Sequence, residues 1–559
     1  MKIHRNAFCP CGSGKKYKSC CGDQTKAKAS PKLRPSTAEQ SLQRRAQEML
    51  RAHRAAENVR QQQQGYGKPI ISMVDHGYRI VAVGNTVFWG QKWLVFPDFL
   101  FYFLKKTLRF EWGSRAQKEK SPHPVFRWLE KANDYAAKQG TGQGRVKSGP
   151  LIGFLSATLH LSYALYLIAH NDEIPKRLLL RLRDPATFMP AYYEALVGAA
   201  FAVAGFEIAN AETKATSTPT PEFRARSKTS GKVYEVEAKR KDRWTAPTGD
   251  VNSHSFKDEL ERYVRNQIYS ASKKKLQNPI FWLELSIPTL STEADSRAVA
   301  AHAKSIIREA EKMKIEGEPL PHAFVVVTNH TFLANEDIAG EPSFALLETI
   351  HIPDYPFGRT MEIEDALESY DKHRDIVWMM KAWHLARTIP TTFDGTAPEL
   401  LSSDGQPQKT VQIGDTLVVR DKDGNGVTVR IEDISSMGDK AIAAVRDVAT
   451  NSRWLQEFPL TEGETQAAAR FTDAIFGKDN ASRSMRDSDL FDLYDWFLKQ
   501  YADTKPEQLF KLIREDAGLR QFEGLSPAEA RMRLAREYTK RMWPTSQARK
   551  ATPPHTGQT

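Results

Sequence analysis

Between residues 190 and 329 the sequence changes its hydrophobic period in a set order, and no other feature limits the possible folds as tightly. A helical run, AYYEALVGAAFAVA, precedes a short strand pattern at 206–209 and a loop rich in Thr and Pro. Strand patterns follow at 222–227 and 233–239, joined by a Ser230-Gly231 turn, and then a charged helix at 255–276. An apolar strand at 280–287, a helix at 294–314 and a strand at 323–328 complete the series. This order predicts a central mixed sheet with helices on its faces.

The chain has 559 residues, beyond one ordinary domain, so a multidomain α/β (α+β) protein is expected. The expected units begin with a zinc knuckle at 1–23 and a basic linker with a spacer helix at 24–64. An α+β module without a legible role at 65–180 and the sheet core at 185–330 come next. A helical and irregular extension at 331–405, a small β-barrel-like module at 406–460 and a helical module at 461–545 follow, with a disordered tail at 546–559. Ser36 with Glu39, and Ser526-Pro527 with Glu529, announce helix starts. Strand patterns read as IISMV, YRIVAVGNTVFW and KWLVF occupy 70–96.

All four cysteines, Cys9, Cys11, Cys20 and Cys21, lie within thirteen positions. Adjacent Cys20 and Cys21 suit a disulfide set poorly, and thiolates converging on zinc are the natural use in a reducing compartment. The intervening GSGKKYKS supplies glycines for a tight loop, and Lys15, Lys16 and Lys18 offset the negative charge of a zinc tetrathiolate. So small a unit would draw its folding energy from the metal. Through residue 60 there are fourteen Lys and Arg against four Asp and Glu, an excess of ten in a chain of net charge +12. Such an arm suits a polyanion, or serves as a solubilising leader. CPCGSGKKYKSCC resembles the SEC-C motif, known from the tail of the SecA translocation ATPase and from many unrelated bacterial proteins. The resemblance implies a non-catalytic tag that recruits proteins or ribosomes.

A second constellation lies at 221–239. Residues two apart in a strand share a face, so Glu235, Glu237 and Lys239 point the same way. Two acids on paired strands, Glu222 and Glu237, can hold Mg²⁺, a cation that takes oxygen ligands. Lys239 beside them can orient water and stabilise charge on a phosphate. Arg240, Lys241 and Arg243 directly afterwards are positioned to neutralise backbone phosphates. The competing reading is a solvated strand face with ordinary ion pairs.

With Pro221-Glu222, Glu237 and Lys239, residues 188–330 resemble the PD-(D/E)XK, or restriction-endonuclease-like, nuclease superfamily. The first acid here is Glu rather than Asp, one methylene longer. The resemblance adds Glu194 as a helical acid, and Gln267 and Lys273 as auxiliary polar residues facing nucleic acid. It implies Mg²⁺- or Mn²⁺-dependent cleavage of DNA, less often RNA.

Other signals carry less. Asp421, Asp423, Asn425, Gly426 and Glu432 match a calcium-loop spacing, but TLVVR and VTVRI around them predict a hairpin. His160 reads as a satisfied core residue, and His351 and His373 lack metal spacing. Trp244 reads as core packing rather than a stacking platform. The apolar run at 151–169 is interrupted by Ser156, Thr158, His160 and Ser162, which predicts a buried helix and not a membrane span. The first twenty residues do not read as a signal peptide, so a cytoplasmic protein is expected. The combined expectation is a metal-dependent nuclease recruited by a zinc knuckle. The alternative is a non-catalytic adaptor for nucleic acid, ribosome or protein, with a degenerate nuclease-like fold.

Overall fold

The computed structural model describes residues 6–7, 14–19, 60, 68–119, 121–138, 149–210, 220–290, 292–338, 344–355, 362–401, 408, 410–420, 424–471, 475–477, 490–502 and 504–543. The chain divides into two compact units, 1–53 and 54–559. In the first, the Tyr17 N–H donates to the Ala7 carbonyl at 2.7 Å, and Ser19 N–H closes a single turn on Lys16. The four cysteines, the Ser36–Glu39 helix start and the tail at 546–559 lie outside the described residues.

The second unit opens with an antiparallel meander of β1 (Ile71–Asp75), β2 (Tyr78–Val83) and β3 (Thr86–Gly90). The single strand expected across 78–89 is two strands, because Gly84 at φ 55° turns the chain with Asn85 between paired Val83 and Thr86. KWLVF is not a strand. The Asp98 carboxylate accepts from the Leu94 and Val95 N–H groups, and with Pro97 it starts helix α1 (Phe96–Thr107). Helices α2 (Phe110–Lys118) and α3 (Pro124–Lys138) follow. A Cβ at Gly84 would lie 2.6 Å from the Ala169 carbonyl oxygen. Gly84→Ala should therefore destabilise the protein by about 2 kcal/mol, read from the denaturant midpoint.

The run at 151–169 forms α4 (Gly153–Asn171), buried along almost its whole length. His160 is satisfied there: its Nδ1 lies 2.8 Å from the Ser156 carbonyl, its Nε2 3.2 Å from that of Arg387, and Phe332 stacks on its ring. Among the described residues no helix is long and apolar enough to cross a membrane. A short helix, α5 (Lys176–Arg181), leads into α6 (Phe188–Val203), which packs on α4.

The central sheet follows the expected order. Its strands are β4 (Phe206–Asn210), β5 (Phe223–Ser227), β6 (Val233–Arg240), β7 (Pro279–Glu284), β10 (Ala323–Asn329) and β11 (Phe344–Ile350). They lie side by side as β11-β10-β7-β6-β5-β4; a separate small hairpin holds β8 (Lys314–Ile315) and β9 (Glu318–Pro319). β4, β5 and β6 are antiparallel, β6, β7 and β10 are parallel, and β11 returns antiparallel. Between β6 and β7 runs α7 (His254–Ser272), and before β8 lies α8 (Glu293–Ala310). Six buried residues make β7 the sheet's centre, as continuous apolar strands of parallel sheets are. Tyr234, Val236, Ile280 and Trp282 face one core with α4, α6 and α9 (Ile363–Arg387). Phe281, Leu283, Val325 and Val327 face a second core with α7 and α8. β11 falls in a stretch expected to be helical or irregular, where FALLETI is too short a run to show its period.

At the C-terminal ends of β7 and β10 a carboxylate is fully enclosed. Glu284 accepts from Thr328 Oγ1 at 2.7 Å, Ser286 N–H at 2.8 Å, Ser286 Oγ at 3.2 Å and His330 N–H at 2.8 Å, and His330 Nδ1 lies 2.6 Å away. The Tyr193 hydroxyl donates onward to Thr328 Oγ1 at 2.8 Å. Burial alone would raise the Glu284 carboxyl, but His330, the His330 N–H and Thr328 hold it below its usual range.

The expected barrel module is a four-stranded antiparallel meander, β12 (Thr416–Arg420), β13 (Gly426–Met437), β14 (Lys440–Asp447) and β15 (Arg453–Pro459). Among the described residues β12 and β15 are not paired, and α10 (Glu462–Phe471) covers the buried face. Arg420 pairs with Gly426, so the chain there is a hairpin, although Asp421 and Asp423 themselves lie outside the described residues. Helices α11 (Leu490–Ala502), α12 (Pro506–Glu515) and α13 (Pro527–Met542) end the fold, the last with its Ser526–Glu529 capping box. Asp371 on α9 accepts from Tyr494 and Arg536, both at 2.6 Å, which joins α11 and α13 to the core.

Candidate active site

β5 and β6 bring the carboxylate–lysine residues together. Pro221 ends the preceding loop, and the Glu222 N–H donates to the Val236 carbonyl at 3.0 Å, which sets Glu222 beside β6. Two residues apart on β6, Glu237 and Lys239 share the face expected of them. The Lys239 Nζ lies 2.9 Å from Glu222 Oε1 and 2.7 Å from Glu237 Oε1. One ammonium thus joins both carboxylates. The third member of that face, Glu235, is engaged elsewhere, accepting from Arg224 Nε and the Gln277 N–H, each at 2.7 Å.

Glu194 on α6 reaches the same group through Arg181, whose Nη1 contacts Glu194 directly and lies 3.5 Å from Glu222 Oε2. Lys274, just past α7, donates to Glu237 Oε1 at 2.6 Å and to the Thr220 carbonyl at 3.1 Å. Three carboxylates therefore meet three cations, two of which, Arg181 and Lys274, sequence reasoning missed. Arg181 lies on a short helix before the expected core and carries no motif. Lys274 sits in a Lys273-Lys274-Lys275 run where period alone does not choose the inward member. Lys273 is exposed, with its Nζ 4.4 Å from the Tyr269 ring centroid. Gln267 is half-buried on α7, four residues after Tyr263 and so on the same side of the helix.

The basic residues after the motif divide. The Arg240 side chain is only 7% exposed, and it donates to Asp242 at 3.0 Å and to the Leu333 carbonyl at 3.3 Å. Lys241 pairs with Glu259 at 2.8 Å and lies over the Trp244 and Tyr263 rings. Arg243 is exposed to solvent. Trp244 stacks on Phe256 and donates to the Leu285 carbonyl at 2.9 Å, a packing role. His373 pairs with Asp354 at 3.0 Å, and the His351 N–H donates to Glu311 at 2.9 Å.

The electrostatics follow from burial and charge. Burial opposes ionisation of Glu222, but Lys239 and Arg181 outweigh it and hold the carboxyl below its usual range. Burial likewise opposes the Lys239 charge, and Glu222 and Glu237 still raise its pKa. Glu194 goes the other way: burial pushes it up to about 7, with Glu222 adding to the rise and Arg181 opposing it. A carboxyl raised in the folded state contributes stability below its unfolded pKa and loses it as pH climbs through the folded value. The protein should lose on the order of 2 kcal/mol from this group between the ordinary carboxylate range and neutrality. Glu194→Gln should flatten that slope in denaturant midpoints measured across the interval.

Do these residues suit a divalent cation? Among the described residues no group of three or more His, Cys, Asp or Glu is arranged to hold one. Two observations fit a metal all the same. Glu222 and Glu237 already share one cationic atom, and Glu237 Oε2 is buried without a hydrogen-bond partner. A hard cation satisfied by two carboxylates plus water and phosphate oxygens matches this donor set. Clefts lie elsewhere, including one of about 410 Å³ lined by Arg127, Met189 and Arg240 and one of about 570 Å³ beside Phe103 and His170.

A family model described as the SEC-C motif matches residues 5–23, the segment that holds all four cysteines. The match supports zinc binding there. No curated protein and no solved structure matches the chain significantly.

Proposed function

We propose that the protein is a metal-dependent nuclease that hydrolyses phosphodiester bonds, with DNA as substrate. The observation that carries this reading is the Lys239 ammonium bridging Glu222 and Glu237 at 2.9 and 2.7 Å, beside a helical acid. The fold order around it, and the parallel β6–β7 pair that presents Glu237 and Lys239, agree with the restriction-endonuclease-like resemblance.

In this account Glu222 and Glu237 hold Mg²⁺ or Mn²⁺, which when bound polarises the scissile phosphate and lowers the pKa of water. Lys239 orients the attacking water and faces the charge that develops on phosphate. Glu194, linked to Glu222 through Arg181, would assist through a metal-bound water. Arg243, exposed after β6, is the member of the basic triplet open to a backbone phosphate, while Gln267 on α7 and Lys273 just past its end are the auxiliary polar residues assigned to nucleic acid. At the other end of the chain, Cys9, Cys11, Cys20 and Cys21 bind zinc and recruit the protein to a ribosome or protein partner. A cytoplasmic location suits that thiolate set.

The second reading is an adaptor. Its supporting observation is the balance of the site: Arg181, Lys239 and Lys274 neutralise Glu194, Glu222 and Glu237 without a metal. Mg²⁺- or Mn²⁺-dependent cleavage of plasmid or single-stranded DNA separates the two. Cleavage by the full chain supports the nuclease; none under either metal supports the adaptor.

A further inference from the structure

The three cations around the carboxylates are not equivalent, and the difference bears on how the site would load, given the nuclease reading above. Lys274 is held a second time by the Thr220 carbonyl at 3.1 Å, and Arg181 spans Glu194 and Glu222. Among the described residues the Lys239 ammonium has no partner beyond the two carboxylates, and it is the most exposed of the three, 34% against 23% for each of the others. Its ammonium stands between Glu222 and Glu237, where a shared divalent cation would stand. An ammonium and a divalent cation cannot both occupy that point, because like charges at contact repel strongly in a poorly hydrated site. The protein donor set is also short, since no group of three ligands exists among the described residues.

A phosphodiester supplies both missing things. Its anionic oxygens offer Lys239 a new partner, and they add ligands to a set of two carboxylates, the usual way Mg²⁺ is held with substrate phosphate. We infer that Lys239 is a latch: in the free protein it excludes divalent cations by bridging Glu222 and Glu237, and it transfers to the substrate phosphate as metal and substrate bind together. The buried, unpartnered Glu237 Oε2 then gains a cation, while Lys274 keeps Glu237 in place.

The test is Mn²⁺ binding to the full chain, followed by the electron paramagnetic resonance signal of free Mn²⁺, with and without a short DNA duplex. Wild-type protein should bind Mn²⁺ weakly alone and at least about tenfold more tightly with duplex present. Lys239→Met should bind at least about tenfold more tightly than wild type without duplex, whereas Lys239→Arg, which keeps the charge, should remain weak. Lys274→Met controls for general loss of positive charge. The inference falls if Lys239→Met leaves Mn²⁺ affinity unchanged, or if Lys274→Met gives the same gain. It also falls alone if wild-type protein cleaves DNA yet Lys239→Met shows no gain. It falls too if duplex leaves the Mn²⁺ affinity of wild-type protein unchanged; if the variant's gain and the duplex effect are both present and no nucleic acid is cleaved, the latch stands and the nuclease reading is lost.

Discussion

Glu284→Ala should unfold the protein more readily by about 4 kcal/mol, the largest stability loss expected of a single substitution in the sheet. The reasoning is local. Glu284 is fully buried and receives the Ser286 and His330 N–H groups, the Ser286 and Thr328 hydroxyls and the His330 ring. Alanine leaves those donors enclosed with no acceptor, and each unsatisfied buried donor costs about 1–3 kcal/mol. Relaxation recovers some of that, so the sum is not taken in full. Whole domains are stable by only about 5–15 kcal/mol, so the loss is a large fraction. Glu284→Gln keeps one carbonyl acceptor and should fall between. Tryptophan fluorescence in urea reads this directly, since Trp282 neighbours Glu284 on β7 and packs on Trp383 at 4.7 Å. A change under about 1 kcal/mol would mean that the network adds little to the backbone pairing of β7 with β10. Acid should act in the same direction. Because the Glu284 carboxyl lies below its usual range in the fold, its contribution is present at neutral pH and disappears as pH falls through the folded value.

Lys239→Ala should reduce metal-dependent cleavage by at least about 100-fold while leaving the fold intact. The reduction is the expected cost of removing a positioned charge from a site where negative charge develops on phosphate. The fold should survive because neither carboxylate is stranded: Glu237 keeps Lys274 at 2.6 Å, and Glu222 keeps Arg181 at 3.5 Å. Far-ultraviolet circular dichroism and the urea midpoint check the second half of the claim. If activity is lost together with the fold, Lys239 is a structural ion pair and its role in chemistry is unsupported.

Much of the core was legible in the sequence because period and length agreed. The helix at 188–203, the strands on either side of Gly231 and the charged helix before β7 each carry one unambiguous pattern. That same alternation puts Glu237 and Lys239 on one face, where the two side chains meet at 2.7 Å. What escaped had weak local signals. β11 is seven residues whose pairing is supplied by β10, not by its own pattern. β2 and β3 read as one strand because Gly84-Asn85 is a two-residue turn inside continuous alternation. Arg181 and Lys274 escaped because their importance comes from packing: a short helix folds back on α6, and the end of α7 points one lysine of three at Glu237. The same limit explains Arg240 and Lys241, which look like phosphate ligands in sequence yet pair with Asp242 and Glu259 in the fold. Charge is visible in a sequence, but a partner is visible only in three dimensions.

The measurement that bears most directly on the central claim is nicking of supercoiled plasmid by the full chain in Mg²⁺ or Mn²⁺, beside an EDTA control and Lys239→Ala. The account predicts cleavage that requires metal, disappears with EDTA and is lost in Lys239→Ala protein that remains folded. Folded wild-type protein that leaves plasmid and single-stranded DNA intact in both metals would contradict it, as would equal cleavage by the variant.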